Sequence, residues 1–233
     1  KQDLESVIKI TRSKFLNNYV QAYYTARGGG ISSQRNIDIT NTLFVNNGAM
    51  GNWEYSDGGQ PSVGGAISLD HYYSTDEGTA NIINSTFHGN YIKSLSSSSP
   101  GDMIGAAIAY GLWRDNDSET TIFNTSITGS KALVGNDTTD FYEMIDDLYP
   151  NYSANDREWY KQRLIVGSYD SDYNKLDIDH SIVESKHYDN SYGDNVYNVT
   201  PGFKDLSNND YSLSDKSPLI DAGVLKYIRS EER

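Results

Sequence analysis

Asp170, Asp172 and Asn174 alternate along the chain and are followed by Asp177 and Asp179, and alternating oxygen ligands of this kind suit a hard cation such as Ca2+. The first three positions match the opening of a calcium loop. The glycine expected at the sixth position is Lys175, however, and the glutamate expected at the twelfth is Ser181. The run therefore reads either as a partial Ca2+ site on Asp170, Asp172 and Asn174 or as the solvated face of a strand. A second group is aromatic: Trp53 near Tyr55, the pair Tyr72 and Tyr73, Trp113 near Tyr110, and Trp159 beside Tyr160. Flat rings stack on the C–H faces of sugars while neighbouring acids, amides and guanidinium groups meet the hydroxyls. Trp53, Tyr72, Tyr73, Trp113, Arg114 and Trp159 are the candidate ligand-binding residues on this ground. The alternative is that such rings anchor long loops onto a narrow scaffold. Groups able to move a proton are scattered: Asp70, His71, Arg114, Asp115, Asp117 and Lys161 have suitable chemistry but no spacing that forms a motif. His88 and His180 fall inside a repeat and read as structural, and no catalytic residue is assigned.

The charge balance narrows the partners. Nineteen basic against 32 acidic residues give a formal net charge of -13, the wrong sign for collecting nucleic acid or anionic lipid. No apolar run is long enough to span a bilayer, so nucleic-acid binding and direct membrane insertion are excluded as expectations. The absence of cysteine removes disulfides and thiolate nucleophiles. Ile, Leu, Val and Phe make up 49 of 233 residues, so a folded state depends on how these few are arranged. The length fits one domain, 1–233.

Their arrangement is a repeat. The pattern I-x-[N/R/H]-[S/T]-x-[F/I/V] occurs five times, in IKITRSKFLNN (8–18), IDITNTLFVNN (37–47), NIINSTFHGN (81–90), TIFNTSITGS (121–130) and LDIDHSIVESK (176–186). Ile10, Ile39, Ile82, Ile122 and Ile178 are each followed five residues later by Phe15, Phe44, Phe87, Ile127 and Val183. An odd spacing puts both members on one side only if the chain bends between them, because strand side chains alternate with period two. Asn41, Asn84 and Asn124 stand at that bend, a residue type that tolerates the left-handed region. A glycine-led motif alternates with the first: GGGIS (28–32), GGAIS (64–68), GAAIA (105–109) and a degraded RLIVGS (163–168). Each unit reads as three short strands, too little to bury a core alone, so the units must stack. The predicted fold is all-β, a right-handed parallel β-helix with long loop insertions and an asparagine ladder at one corner.

FLNN, FVNN and FHGN fit F-x-x-N and alternate with GGGI, GGAI and GAAI. This alternation resembles the GGA[I/L/V] and F-x-x-N repeats of the polymorphic outer-membrane proteins, bacterial surface β-helix adhesins. PGFKDLSNNDYSLSDKSPLIDAG (201–223) resembles the closing segment of secreted bacterial β-helix proteins with a pectate-lyase-like fold. The resemblance implies the fold and a secreted or bacterial cell-surface location, and its activity varies too widely among members to be carried over.

Successive isoleucine anchors lie 29, 43, 40 and 56 residues apart, and the extra length reads as loops beside the GGAI strands: 48–63, 91–103 and 131–162 before them, 70–79 and 111–120 after. The insertion 131–162 is predicted to carry two short helices, with Thr139 as one N-cap and Ser153 and Asp156 as a capping box; residues 199–223 close the C-terminal end. Taking Ile31, Ile67 and Ile108 as inward leaves Gly30, Ser32, Ala66, Ser68, Ala107 and Ala109 as the outward floor, which holds neither a general base nor paired carboxylates. The reading is therefore a non-catalytic module for adhesion, binding a polysaccharide or a surface protein of a host or neighbouring cell. The alternative is a polysaccharide lyase or glycoside hydrolase that uses residues of the loop walls. The first strand begins close to Lys1, so either further chain precedes it in a larger protein or residues 1–7 fold over the end of the stack.

Overall fold

The computed structural model describes residues 6–52, 62–69, 78–96, 103–111, 118–136, 139–168, 174–183, 196–197 and 199–217. It is mostly β, and most of its strands fall into four parallel sheets, with a short fifth one that pairs Ala26–Arg27 with Ser62–Val63. Sheet I holds Ile8–Thr11, Ile37–Thr40, Gly78–Ile83, Ser118–Phe123 and Asn174–Asp179. Sheet II holds Lys14–Leu16, Leu43–Val45, Thr86–His88, Ser126–Thr128, Ile182–Val183 and Val196–Tyr197. Sheet III holds Tyr19–Ala22, Gly48–Gly51, Tyr91–Ser94 and Lys131–Val134, and sheet IV holds Ile31–Ser33, Ile67–Leu69, Ile108–Ala109 and Val166–Gly167. The chain visits the sheets in the order I, II, III, IV, then begins again, so each sheet takes one strand from each of the first four turns, and the described residues of the fifth add strands to sheets I and II. Like residues lie side by side: Ile10, Ile39, Ile82, Ile122 and Ile178 are in register across sheet I.

Each of the first four turns places a strand in all four sheets where the sequence suggested three strands. Sheet III was hidden because its strands open the stretches read as loops 48–63, 91–103 and 131–162. Their sequences, GAMG, YIKS and KALV, share only a small or aliphatic second residue. That residue, Ala49, Ile92 or Ala132, points inward and is buried.

The bends are fixed by local chemistry. Asn41, Asn84 and Asn124 adopt φ of 51, 51 and 47°, as their residue type suggested, and Arg12 and His180 are held at the same bend at 49°. Beside them runs a hydroxyl ladder. The backbone N–H of Thr42 donates to Ser85 Oγ (3.2 Å), that of Ser85 to Thr125 Oγ1 (3.3 Å) and that of Thr125 to Ser181 Oγ (3.1 Å). Each hydroxyl in turn donates to the carbonyl two residues back. The asparagine ladder forms at the next corner, from the last residue of F-x-x-N. Asn18 donates through its backbone and side-chain N–H to Asn47 Oδ1 (3.1 and 2.9 Å), and Asn47 does the same to Asn90 Oδ1 (3.0 and 3.0 Å). Buried amides need such partners. In the fourth turn Ser130 replaces the asparagine, and its buried Oγ has no partner among the described residues.

The core between the sheets is narrow and layered. Phe15, Phe44 and Phe87 stack with centroids 4.8 and 4.7 Å apart and planes within 7°, continued by Ile127 and Val183 in register. A second apolar cluster joins the inner face of sheet III to Met103, Leu164 and the helical insertion. Helix α1 (Phe141–Leu148) buries Phe141 and Ile145 there, and helix α2 (Ala154–Gln162) follows it. Asp140, not Thr139, caps α1: its carboxylate accepts the N–H of Tyr142 at 3.2 Å and that of Ala132 at 3.4 Å. The capping box of Ser153 and Asp156 is present. Within the C-terminal segment, Phe203–Asp205 and Asp210–Leu213 pair antiparallel, and Phe203 and Tyr211 pack their rings against His88 on the flank of sheet II.

Candidate functional site

Sheet IV, expected to floor a groove, is closed on both faces at its two central strands, while Ser32 on the edge strand is exposed. Ile67, Leu69, Ile108 and Tyr110 point into the main core, and Ala66 and Ala107 join them there. Ser68 and Ala109 face the other way, yet both are fully buried. Ala109 packs on Val63 and Ile104, from the short segments that precede the glycine motifs. The small residues of GGAI are thus a packing requirement on two sides. The first glycine of each pair shows why it is glycine: Gly64 has φ of 66°, and a Cβ there would lie 2.2 Å from the Ile67 carbonyl oxygen.

The outside of sheet I carries a groove. Side chains alternate along each strand, so with Ile37, Ile39, Ala80, Ile82, Thr120 and Ile122 buried inward, the residues between them face out. The register stacks those outward residues into rows. One row runs Lys9, Asp38, Asn81, Thr121, Asp177; a second runs Thr79, Glu119, Lys175; a third runs Thr11, Thr40, Ile83, Phe123, Asp179. Asp38, Thr40, Thr79, Asn81, Ile83, Glu119 and Thr121 line a groove of about 480 Å3. Asn81 Nδ2 donates to Asp38 Oδ1 at 2.8 Å, which holds both side chains along the floor. The Thr79 backbone N–H donates to Asn36 Oδ1 at 2.9 Å and ties the edge of the groove to the preceding turn. Glu119 and Asp177 stand on adjacent strands, two residues apart along them, so their Cα atoms are about 8 Å apart at ordinary sheet spacings. The face offers carboxylate and amide acceptors, hydroxyls of either polarity, and one apolar patch at Ile83.

Trp53, Tyr72, Tyr73, Trp113, Arg114, Asp170 and Asp172 lie outside the described residues, as do Asp70, His71, Asp115 and Asp117. Asn174 opens the fifth strand of sheet I, in register with Ser118. Trp159 is on α2, 42% exposed, with the buried Arg163 guanidinium 3.5 Å from its ring centroid and Tyr160 edge-on at 5.2 Å. Lys161 is committed to Asp146 at 2.8 Å, and this bond, with Arg157 nearby, holds the Asp146 carboxyl below the usual carboxylate range. Both repeat histidines have structural partners: His88 Nδ1 lies 3.0 Å from Thr128 Oγ1, and His180 Nδ1 lies 2.9 Å from Asp179 Oδ2. Among the described residues no group of three His, Asp or Glu side chains is placed to hold a metal ion, and no helix is long and apolar enough to cross a membrane.

Asp38, Asn81 and Thr121 were overlooked although their signal is simple. Asp38, Asn81, Thr121, Asp177 and Lys9 each immediately precede an isoleucine anchor, the position that alternation turns outward. Comparison with protein-family models, with curated proteins and with solved structures finds no match for this chain.

Proposed function

We propose that the chain is a right-handed parallel β-helix module of a secreted or cell-surface bacterial protein, and that it binds a neutral glycan without cleaving it, in an adhesive role. The observation that carries this reading is the outer face of sheet I. Its groove is lined by aligned rows of Asp, Asn, Thr and Glu with Ile83 among them, which suits a ligand that presents many hydroxyls and an apolar ring face. The net charge of -13 favours a neutral ligand over a polyuronide. Right-handed winding follows from the rule for parallel crossovers, which take that hand in about 98% of cases.

A second reading, glycoside hydrolysis, is favoured by one feature. Glu119 and Asp177 are two carboxylates on adjacent strands of the same outer face, their Cα atoms about 8 Å apart, with Lys175 beside Glu119 in register, and a pair of acids is what glycoside hydrolysis uses. Retention on a panel of insoluble neutral polysaccharides, measured together with release of reducing ends, separates the two. The expected result is retention without release, lost at least tenfold in Thr121→Lys. Release of products that disappears in Glu119→Gln supports the hydrolase, and absence of retention on every glycan overturns both.

A further inference from the structure

We propose that the groove on the outside of sheet I takes a polymer of N-acetylated amino sugars, with Asn81 pairing with an acetamido group and Ile83 seating its methyl. This deepens the glycan reading of sheet I and rests on it. An ionised Asp38 can only accept hydrogen bonds, so Asn81 must turn its NH2 group toward Asp38 Oδ1, the contact made at 2.8 Å. That contact fixes which way the amide faces and leaves Asn81 with Oδ1 and one N–H to spare. Among the described residues, Asp38 Oδ2, the Glu119 carboxylate and the hydroxyls of Thr40, Thr79 and Thr121 make no hydrogen bond, although all five residues line the groove.

Acceptors therefore predominate, and the ligand must bring donors. Hydroxyls do so on any glycan. The spare edge of Asn81 asks for more: an acceptor for its N–H and a donor for its Oδ1, which a second amide offers together through its C=O and N–H. The apolar part of the groove narrows the choice further. Ile83 stands two residues beyond Asn81 on the same strand and the same face, about 6.6 Å away at the ordinary strand rise. Thr40 is beside it in register on one side, and Phe123, on the other, is 2% exposed. The patch is thus one half-buried isoleucine with the Thr40 methyl as neighbour. No aromatic side chain lines the groove among the described residues, and a patch this narrow covers a methyl group better than the face of a whole sugar ring. An acetamido group carries a methyl and an amide on adjacent atoms, as Ile83 and Asn81 require.

Charge and shape separate this ligand from its chemical neighbours. A polyuronide would bring carboxylates to Asp38 and Glu119 on a chain of net charge -13. A deacetylated amino sugar would bring ammonium groups that those two carboxylates attract, but it has no methyl for Ile83 and no carbonyl for the Asn81 N–H. A glucose polymer has hydroxyls alone and leaves Ile83 facing water. The N-acetylated polymer is neutral and supplies donor, acceptor and methyl together.

The test is titration calorimetry of the 233-residue chain with β-1,4-linked hexamers of N-acetylglucosamine, glucosamine and glucose. The acetylated hexamer should bind about tenfold more tightly than either of the others, the worth of one methyl group in an apolar seat. Ile83→Thr should remove most of that preference without changing affinity for the glucose hexamer, and Asn81→Thr should weaken the acetylated hexamer about tenfold. Threonine already fills the equivalent places on neighbouring turns, at Thr40 and Thr121, so both variants keep the fold, which unchanged urea midpoints check. Equal affinity for the glucose and N-acetylglucosamine hexamers overturns this proposal and leaves the neutral-glycan reading standing, and so does a preference for the acetylated hexamer that survives both variants. Tightest binding of the glucosamine hexamer, lost in Glu119→Gln, overturns this proposal and the neutral ligand together. No binding of the acetylated hexamer overturns this proposal; only if no insoluble glycan is retained either does the glycan reading fall with it.

Discussion

Sheets I and IV are built from the same turns, in the same parallel register, yet one presents a groove to solvent and the other is closed on both faces at its two central strands. On sheet I the outward rows carry Asp38, Asn81, Glu119 and Thr121; on sheet IV the equivalent outward positions, Ser68 and Ala109, are fully buried. Small residues on an outward face therefore mark close packing and not an empty binding floor. Glycine and alanine let backbone approach backbone, as at Gly65, where a Cβ would lie 2.1 Å from the Ala106 carbonyl oxygen. A groove for chemistry forms where side chains are long and polar enough to need water.

Four changes break or sharpen this contrast. Ser68→Lys places an unpaired ammonium in a closed interior, at a cost of about 3 kcal/mol or more, so the chain should fail to show a cooperative urea transition at 37 °C; a soluble, stable variant would mean that sheet IV opens. Gly64→Ala combines a left-handed backbone with the contact to the Ile67 carbonyl, and a loss of about 2–3 kcal/mol is expected in the urea midpoint. Thr121→Lys, on the open face, should move stability by no more than about 0.5 kcal/mol while abolishing glycan retention. A large destabilisation there would show that sheet I is covered in solution.

The smallest effect lies off both faces, in the helical insertion. Asp146 is held below its ordinary range chiefly by the hydrogen bond from Lys161. A carboxylate whose folded value is depressed contributes stability above its unfolded value and loses it as pH falls through the folded one. Melts of wild type should thus show a slight excess loss below about pH 4 that Asp146→Asn removes. An identical pH profile in the two proteins would show that this exposed pair contributes nothing, as many such pairs do.

The strands of sheets I and II were legible because their signals are local. The five-residue offset between Ile39 and Phe44, with Asn41 between them, specifies two strands and a left-handed bend from period-two geometry and backbone sterics alone. The same holds for the capping box at Ser153. Sheet III escaped because GAMG, YIKS and KALV share only a small or aliphatic second residue, and their register is imposed by neighbours on other turns. Asp140 displaced Thr139 as cap because its carboxylate also reaches the Ala132 backbone, a contact across the loop that no local pattern announces.

The site divides in the same way. That Asp38, Asn81, Thr121 and Asp177 face away from the core follows from the isoleucine beside each of them, and the sequence by itself determined it. That a groove forms on the outside of sheet I while the central strands of sheet IV are closed was decided only by tertiary structure. Burial of Ala109 depends on the packing of segments at Val63 and Ile104, and burial is a property of what distant parts of the chain bring together, whereas alternation is a property of one strand.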